Sequence, residues 1–238
     1  MKIVLIGYGK MGKAIERIAV AREHQVVLKI DLDNGQEMTA ENLLKADVAI
    51  EFTGPSSAAA NLFKCANTGL PAVCGSTGWL EDYPAVKNAF EETGTAFLYA
   101  SNFSVGVNIF FELNKTLARL MAQHQEYRAE MREVHHTQKK DAPSGTAITL
   151  AEQIIAEIPS LNIWVNEPAQ NSGQLPIISE RRDPAPGTHE VKYRSAIDDI
   201  EIIHTAHSRE GFATGAVLAA EFIQHKKGIF SMKDVLGF

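Results

Sequence analysis

A glycine-rich turn near the start of the chain constrains the fold more than any other feature of the sequence. Gly7, Gly9 and Gly12 follow the strand-like run Lys2–Ile6 and open a helix-like stretch, Gly12–Arg22. In such a unit the first glycine permits a tight turn, the second lets a ligand approach the backbone, and the third lets the helix pack on the strand. The helix N-terminus attracts phosphate groups. The pattern therefore predicts a parallel sheet with a phosphate-binding turn.

The rest of the first hundred residues repeats the alternation of strands and helices. Short apolar runs predict four more strands, separated by amphipathic stretches. The predicted strands are Gln25–Ile30, Asp47–Phe52, Pro71–Cys74 and Ala96–Tyr99, and the predicted helices include Ser56–Asn67 and Tyr83–Glu92. This order predicts an α/β fold, a doubly wound domain of the Rossmann type over residues 1–104 with helices on both faces of a parallel sheet.

The pattern changes after residue 104 and predicts a mixed α+β domain over residues 105–207. The predicted helices are Val107–His124, Ser144–Ile158 and, near the end of the chain, Gly215–His225. The predicted strands are Tyr127–His136, Glu190–Ser195 and Ile200–His207. Residues 159–188 are rich in Pro, Gly, Asn and Ser, and we expect a long loop there around one short strand, Leu175–Ser179.

An acidic residue after the second strand favours a dinucleotide as the ligand of the glycine turn. Asp31 lies about 20 residues beyond Gly12, where these folds place the carboxylate that binds the ribose hydroxyls. A carboxylate also repels a 2′-phosphate, and Leu32 follows it where an arginine would bind that phosphate. These residues favour NADH over NADPH, although the positive charges of Lys10 and Lys29 act against that preference.

Small and polar residues follow the third, fourth and fifth strands. They are Phe52–Pro55, Gly75–Gly78 and Ala100–Phe103. Open α/β sheets bind their ligands at the carboxyl ends of the strands. Since Ser, Thr and Asn side chains can hydrogen-bond a carboxamide, we expect these segments to contact the nicotinamide.

A segment between a strand and a helix of the second domain concentrates groups that bind anions. The run Pro143–Thr146 can cap the helix, with Ser144 as the N-cap residue. The N–H groups of Gly145 and Thr146 then face outward at the positive end of the helix, which suits a carboxylate. Lys139 precedes them and adds a full positive charge.

The same segment carries two adjacent histidines. His135 and His136 can donate hydrogen bonds or a proton near neutral pH. Together with Lys139 they place acid chemistry beside an anion site. The sequence therefore predicts an active site here for a small anionic substrate.

Nearly the whole chain resembles the 4-hydroxy-tetrahydrodipicolinate reductases, traditionally called dihydrodipicolinate reductases, of the lysine and diaminopimelate pathway. The most specific match is His-His-x-x-Lys-x-Asp-Ala-Pro-Ser-Gly-Thr at 135–146. Shorter matches occur in the same order at 52–55, 75–78, 102–108 and 228–236.

The resemblance implies a role for each matched position. His135 and Lys139 correspond to proton donors. His136, Gly145 and Thr146, again with Lys139, correspond to positions that hold a dicarboxylate substrate. The implied cofactor contacts are Gly7, Tyr8, Gly9, Lys10, Met11, Gly12, Asp31, Phe52, Gly75, Ser76, Thr77, Ala100, Ser101, Asn102 and Phe103.

The resemblance also implies a reaction and an assembly. The reaction is the reduction of a cyclic dicarboxylate by NADH or NADPH, with loss of water, to give tetrahydrodipicolinate. Residues 208–238 are expected to rejoin the first domain, and the second domain to bind substrate and build a homotetramer. The chain departs from the family in a first glycine loop that is one residue shorter, and in an arginine- and glycine-rich stretch of which only Arg182–His189 shows part.

The composition argues against several other classes of protein. The formal charge is −6, from 23 basic and 29 acidic residues without a long basic run, which argues against a nucleic-acid partner. No apolar run approaches the ~20 residues of a membrane span. The two cysteines have no zinc-binding spacing, so we expect reduced thiols, no metal and a cytoplasmic protein.

Two other functions would use the same glycine turn. Another two-domain dehydrogenase would act on an amino acid or a sugar and would carry a different acid–base set. A non-catalytic dinucleotide sensor would bind NADH without turnover. A sensor needs no proton donor, so the two histidines and Lys139 argue against it.

Overall fold

A computed structural model describes residues 1–208 and 210–238. The chain divides into two compact units, of which the first comprises Met1–Val105 and Glu210–Phe238 and the second begins at Gly106. Among the described residues, no helix combines the length and the apolar character needed to cross a membrane.

The elements alternate regularly through the first unit and less so through the second. The first series is β1 (Lys2–Ile6), α1 (Lys10–Ala21), β2 (Gln25–Ile30), a 3₁₀ helix (Leu32–Glu37), α2 (Ala40–Leu43), β3 (Val48–Glu51), α3 (Pro55–Thr68), β4 (Ala72–Cys74), α4 (Tyr83–Glu92) and β5 (Ala96–Tyr99). The second series is α5 (Val105–Met121), β6 (Arg128–His135), α6 (Gly145–Glu157), β7 (Ile163–Val165), β8 (Gln174–Arg181), β9 (Gly187–Arg194) and β10 (Asp199–Ala206). The chain then continues with α7 (Glu210–Ile223), β11 (Gly228–Phe230) and α8 (Met232–Leu236).

The sheet of the first unit is parallel throughout, in the order β11-β5-β4-β3-β1-β2. The prediction of a doubly wound fold is confirmed, and β1 to β5 lie within one residue of their predicted bounds. The sequence analysis missed β11, because three residues are too short to show an alternation of apolar and polar positions.

Alternate residues of β1 enter two different cores, one on each face of the sheet. Ile3 and Leu5 pack with apolar residues of α1 and α7, while Val4 and Ile6 pack with those of α3 and α4. Helix α7 approaches the strand ends closely, because a Cβ at Gly215 would lie only 1.7 Å from a neighbouring carbonyl oxygen. Burial on both faces explains why these strands read as continuous apolar runs.

The second unit has a mixed sheet in the order β10-β9-β6-β8-β7. Strand β9 runs antiparallel to β6 and β10, while β6 and β7 run parallel to β8. Apolar residues of α5 and α6 form one core with the strands, including Leu150 and Ile154 against Met131 and Ile177. Strand β6 is therefore central, and its carboxyl end leads into the segment that carries the two histidines.

The predicted strand Leu175–Ser179 lies within β8, but the long loop predicted around it over residues 159–188 was wrong. The structure has two strands there, β7 and the eight-residue β8, instead of one short strand in a long loop. Strand β8 alternates only at its start, where Leu175 and Ile177 are buried. Its second half is polar because Ser179, Glu180 and Arg181 pair with charged side chains of β6, so that the expected apolar period is absent.

Candidate active site

The glycine turn after β1 combines two closely packed positions with one open position. Gly7 has φ +95°, and a Cβ there would lie 2.3 Å from the carbonyl oxygen of Phe52. A Cβ at Gly12 would lie 2.3 Å from the carbonyl oxygen of Gly7, whereas one at Gly9 would meet nothing within 4 Å. The outer glycines are thus required by packing, and Gly9 leaves open backbone at the start of α1. This geometry fits a pyrophosphate at the helix N-terminus.

Asp31 lies exposed at the end of β2, at the start of the 3₁₀ helix. Its carboxylate accepts a hydrogen bond from the N–H of Leu32 at 3.0 Å, and its own N–H donates to Asn34 at 2.7 Å. Both contacts fix the turn and leave the carboxylate at the surface. The Leu32 side chain is 98% exposed, so a solvent-facing apolar group occupies the place where an arginine would bind a phosphate.

Lys29 does not present a free positive charge beside Asp31. Its Nζ lies 2.6 Å from Glu16 and 3.3 Å from the hydroxyl of Tyr8, which itself donates to Glu16. Hydrogen bonds from Lys29 and then from Tyr8 lower the pKa of Glu16. Lys10 is exposed at the first position of α1, and Met11 packs partly against the core.

The ends of β3, β4 and β5 contact one another around an aromatic ring. A Cβ at Gly75 would lie 2.2 Å from the ring of Phe52, whose centroid is 5.7 Å from that of Phe103. The hydroxyl of Ser76 is buried without a hydrogen-bond partner among the described residues. A buried donor without a partner at a strand end fits a polar ligand group such as a carboxamide. Of the other predicted contacts, Asn102 is buried, Ala100 is partly exposed, and Thr77 and Ser101 are exposed.

The sequence analysis missed a fully buried carboxylate beneath these strand ends. Glu51 accepts hydrogen bonds from the N–H and the hydroxyl of Thr53, the former at 3.0 Å, and from the thiol of Cys74 at 3.2 Å. Burial, followed by the charge of Glu51, raises the pKa of that thiol, which makes Cys74 unreactive. Glu51 thus anchors the turn that carries Phe52.

In the second unit His135 stands at the last position of β6, above a second buried carboxylate. Glu133 lies two residues earlier on the same face of the strand and is fully buried. Its Oε2 is 3.3 Å from Nδ1 of His135. His189, paired with Glu133 across β9, brings its ring centroid to 5.1 Å from that of His135.

Glu133 also binds three groups from other parts of the chain. Its Oε1 accepts hydrogen bonds from the N–H of Ser144 at 3.1 Å, the hydroxyl of Ser179 at 2.8 Å and Nη2 of Arg181 at 3.1 Å. Burial alone would raise the pKa of the Glu133 carboxyl, but the nearby His135, followed by the donors Ser144, Ser179 and Arg181, holds this pKa well below its ordinary value. The carboxylate is therefore charged although it is buried.

Lys139 forms an ion pair with a nearby acidic residue, in a loop that is hydrogen-bonded to a residue of β8. Its Nζ lies 2.9 and 2.8 Å from the two carboxylate oxygens of Asp141. Arg181 donates to the carbonyl oxygens of Lys139 at 3.3 Å and of Asp141 at 2.5 Å, and thereby fixes both ends of this short stretch. The half-buried His136 precedes it, with its carbonyl oxygen accepting from the N–H of Lys139 at 3.1 Å.

The N-terminus of α6 follows directly and confirms the predicted cap. The hydroxyl of Ser144 accepts a hydrogen bond from the N–H of Ala147 at 3.2 Å. Gly145 is exposed, with nothing within 4 Å of the place of its missing Cβ, and Thr146 is partly exposed. The structure thus brings His135, Lys139 and this helix start into one segment between β6 and α6.

Glu133, His135 and His189 also offer one metal-ligand atom each, all within 4.8 Å of one another. The guanidinium of Arg181 already offsets the charge of the carboxylate, which disfavours a cation. The absence of a metal stays a prediction.

Comparison with known proteins identifies the family. The model described as "Dihydrodipicolinate reductase, N-terminus" matches residues 1–103, and that described as "Dihydrodipicolinate reductase, C-terminus" matches residues 106–236. The chain belongs to the dihydrodipicolinate reductase family.

Relatives of this family carry the corresponding name. A 4-hydroxy-tetrahydrodipicolinate reductase of Christiangramia forsetii is 49% identical over 236 residues, covering 99% of this chain and 98% of the relative. One from Methanosarcina barkeri is 38% identical, covering 87% of this chain and 78% of the relative. A dipicolinate-bound dihydrodipicolinate reductase from Paenisporosarcina sp. TG-14 has a similar fold, with a TM-score of 0.76 at 21% identity over 97% of each chain.

Proposed function

We propose that this chain reduces 4-hydroxy-tetrahydrodipicolinate to tetrahydrodipicolinate in lysine and diaminopimelate biosynthesis. The reaction consumes NADH or NADPH and one proton, and it releases water and the oxidised cofactor. The main support for this proposal is the composition and geometry of the segment between β6 and α6. It contains the imidazole of His135 beside the buried carboxylate of Glu133, the ammonium group of Lys139 and the capped N-terminus of α6. These groups can supply a proton and bind an anion.

We assign the acid chemistry to His135 and Lys139. His135 is the proton donor, and Lys139 exchanges Asp141 for the substrate, to which its ammonium group adds a positive charge and a second donor. The exchange is feasible because Asp141 is largely exposed and regains water when it is released.

Substrate binding is assigned to His136, Gly145 and Thr146. The N–H groups at the start of α6 face a carboxylate of the substrate, and the half-buried His136 adds a hydrogen-bond donor. The dipicolinate in the Paenisporosarcina relative supports a cyclic dicarboxylate as the class of ligand.

The glycine turn and the strand ends of the first unit are assigned to the cofactor, which supplies the hydride when it is bound. The open backbone at Gly9 receives the pyrophosphate and Asp31 the ribose hydroxyls. The buried hydroxyl of Ser76, which has no hydrogen-bond partner in the part of the chain that the structure describes, is available to the nicotinamide carboxamide. NADH is the proposed cofactor because Glu16 already neutralises Lys29 next to Asp31.

Steady-state kinetics with both cofactors and freshly prepared 4-hydroxy-tetrahydrodipicolinate test the function. We expect NADH and NADPH to be oxidised only when that substrate is present, and kcat/KM to be higher with NADH than with NADPH. An absence of turnover with either cofactor would contradict the proposed reaction. NADH binding without turnover would favour a sensor, and a higher kcat/KM with NADPH would contradict the cofactor assignment alone.

A homotetramer that is assembled through the second unit remains part of the proposal. Isoleucines on its strands are exposed, among them Ile163, Ile178, Ile200 and Ile203. Exposed apolar side chains on one sheet favour association with another copy. Light scattering during gel filtration should give four times the chain mass, and a monomer would contradict the assignment.

A cytoplasmic location is also proposed. Both cysteines, Cys65 and Cys74, are buried and free, as is usual in a reducing compartment. Fractionation of producing cells should recover the protein with cytoplasmic markers, and recovery with the membranes would contradict this.

A further inference from the structure

The buried carboxylate of Glu133 offers more than a structural anchor, because its two oxygens have different surroundings. Oε1 accepts three hydrogen bonds, from Ser144, Ser179 and Arg181. Oε2 lies 3.3 Å from Nδ1 of His135, and neither of these two buried atoms has a hydrogen-bond partner among the described residues. We infer that Glu133 is the positioning residue of the active site: it keeps a proton on Nδ1 of His135 and makes Nε2 the nitrogen that exchanges a proton with substrate. This inference rests on the proposed function.

The three bonds to Oε1 keep the orientation of the carboxylate fixed. They come from the start of α6, from the middle of β8 and from the guanidinium at the end of β8. With one oxygen held by three donors, Oε2 cannot turn away from His135. A carboxylate oxygen accepts hydrogen bonds, so Oε2 favours a proton on the facing Nδ1. A neutral His135 ring is therefore the Nδ1–H tautomer, with Nε2 unprotonated.

Space is left beside the other imidazole nitrogen. A Cβ at Gly187, the first residue of β9, would lie 3.1 Å from Nε2 of His135. Any side chain at this position would crowd that nitrogen. The glycine therefore leaves Nε2 uncrowded while Glu133 lies against Nδ1. The proposal requires both, because Nδ1 keeps its proton and Nε2 exchanges one with substrate.

The charges around the neighbouring rings of His135 and His189 favour adding a proton to His135 and not to His189. Glu133 on the same strand and His189 on β9 contact the His135 ring, Arg181 on β8 binds Glu133, and the charges of Lys139 and His204 act on His189. Burial, and then the charge of His135, lowers the pKa of His189 to about 3, so His189 stays neutral at working pH. Among the described residues, the Glu133 carboxylate is the acidic group that contacts the His135 ring, with Oε2 at 3.3 Å from Nδ1.

The test compares Glu133→Gln with Ser179→Ala. The first removes the charge and keeps the shape, and the second removes one hydrogen bond to the same carboxylate and keeps the charge. We expect Glu133→Gln to lower kcat ~10²-fold with KM changed less than ~3-fold, and to move the alkaline limb of the kcat/KM profile down by about one pH unit or more. Ser179→Ala should keep the wild-type pH profile. Glu133→Asp, which retains the charge, should restore that profile in part.

A folded Glu133→Gln enzyme with the wild-type pH profile and kcat within ~3-fold would overturn the inference. A shift of the profile by Ser179→Ala as large as that by Glu133→Gln would do the same, because it would show that packing, and not charge, sets the profile.

Nitrogen-15 NMR of the wild-type histidines tests the inference without turnover and without a change at Glu133. The neutral ring of His135 should carry its proton on Nδ1, with assignment by loss of the signal in His135→Gln. Protonation of the neutral ring at Nε2 would overturn the inference. A wild-type enzyme without turnover but with the Nδ1 tautomer would instead sink the proposed function and leave the Glu133–His135 pair intact.

Discussion

The two candidate sites depend on opposite features of their side chains. In the first unit the site depends on missing side chains, since Gly7 and Gly12 have no room for a Cβ and Gly9 leaves its surface open. In the second unit it depends on a dense set of charged and polar side chains around Glu133. The first site should therefore be sensitive to added volume and the second to lost charge.

Loss of the acid groups should have the largest effect. His135→Gln and Lys139→Ala should each lower kcat ~10²-fold or more, which corresponds to about 2.7 kcal/mol in the activation barrier. Both side chains belong to the proposed proton-donating segment, and neither substitution adds volume. Steady-state kinetics with saturating cofactor measures the change.

The neighbouring Lys140 provides the control for charge. It is exposed, and Lys140→Ala removes the same charge as Lys139→Ala one residue away. We expect Lys140→Ala to keep kcat within ~3-fold of wild type, because an exposed charge is screened by water. Equal losses in the two lysine variants would show that net charge matters and the position of Lys139 does not.

Added volume should act on the first site through stability. Gly12→Ala places a Cβ 2.3 Å from a carbonyl oxygen and should lower the free energy of unfolding by about 2 kcal/mol, as measured by urea titration. Gly9→Ala is the matched variant, since the same methyl group meets nothing within 4 Å. It should change stability by less than ~0.5 kcal/mol and raise KM for the cofactor about tenfold. Similar destabilisation by both would contradict the distinction between packed and open glycines.

The same contrast explains how much could be predicted from the sequence. The glycine turn and the cap of α6 were predictable because the interacting groups are close in sequence. Ser144, for example, caps an N–H three residues away. Local conformational rules suffice for such features.

The network of Glu133 was not predictable, because its partners come together only through strand pairing. Ser179 and Arg181 arrive on β8 and His189 on β9, each far along the chain from β6. Nothing in the local sequence distinguishes this glutamate from an exposed one. The failure at residues 159–188 has the same origin, since the polar half of β8 pairs with charges on β6 that the local sequence does not place there.

The smallest expected effect tests whether the second site excludes additional charge. His189 has a pKa of about 3 in the folded protein and an ordinary value near 6.5 when unfolded. Below pH 6.5 the unfolded chain therefore binds a proton that the folded chain does not, and stability falls as the pH falls. This group should reduce the free energy of unfolding by about 1 kcal/mol between pH 7 and pH 5.5, and His189→Gln should remove that part of the pH dependence. His225→Gln, at an exposed histidine, should retain it. If urea titrations gave His189→Gln the same pH dependence as wild type, a protonated His189 would be tolerated beside His135, and the second site would be less selective about charge than its contacts indicate.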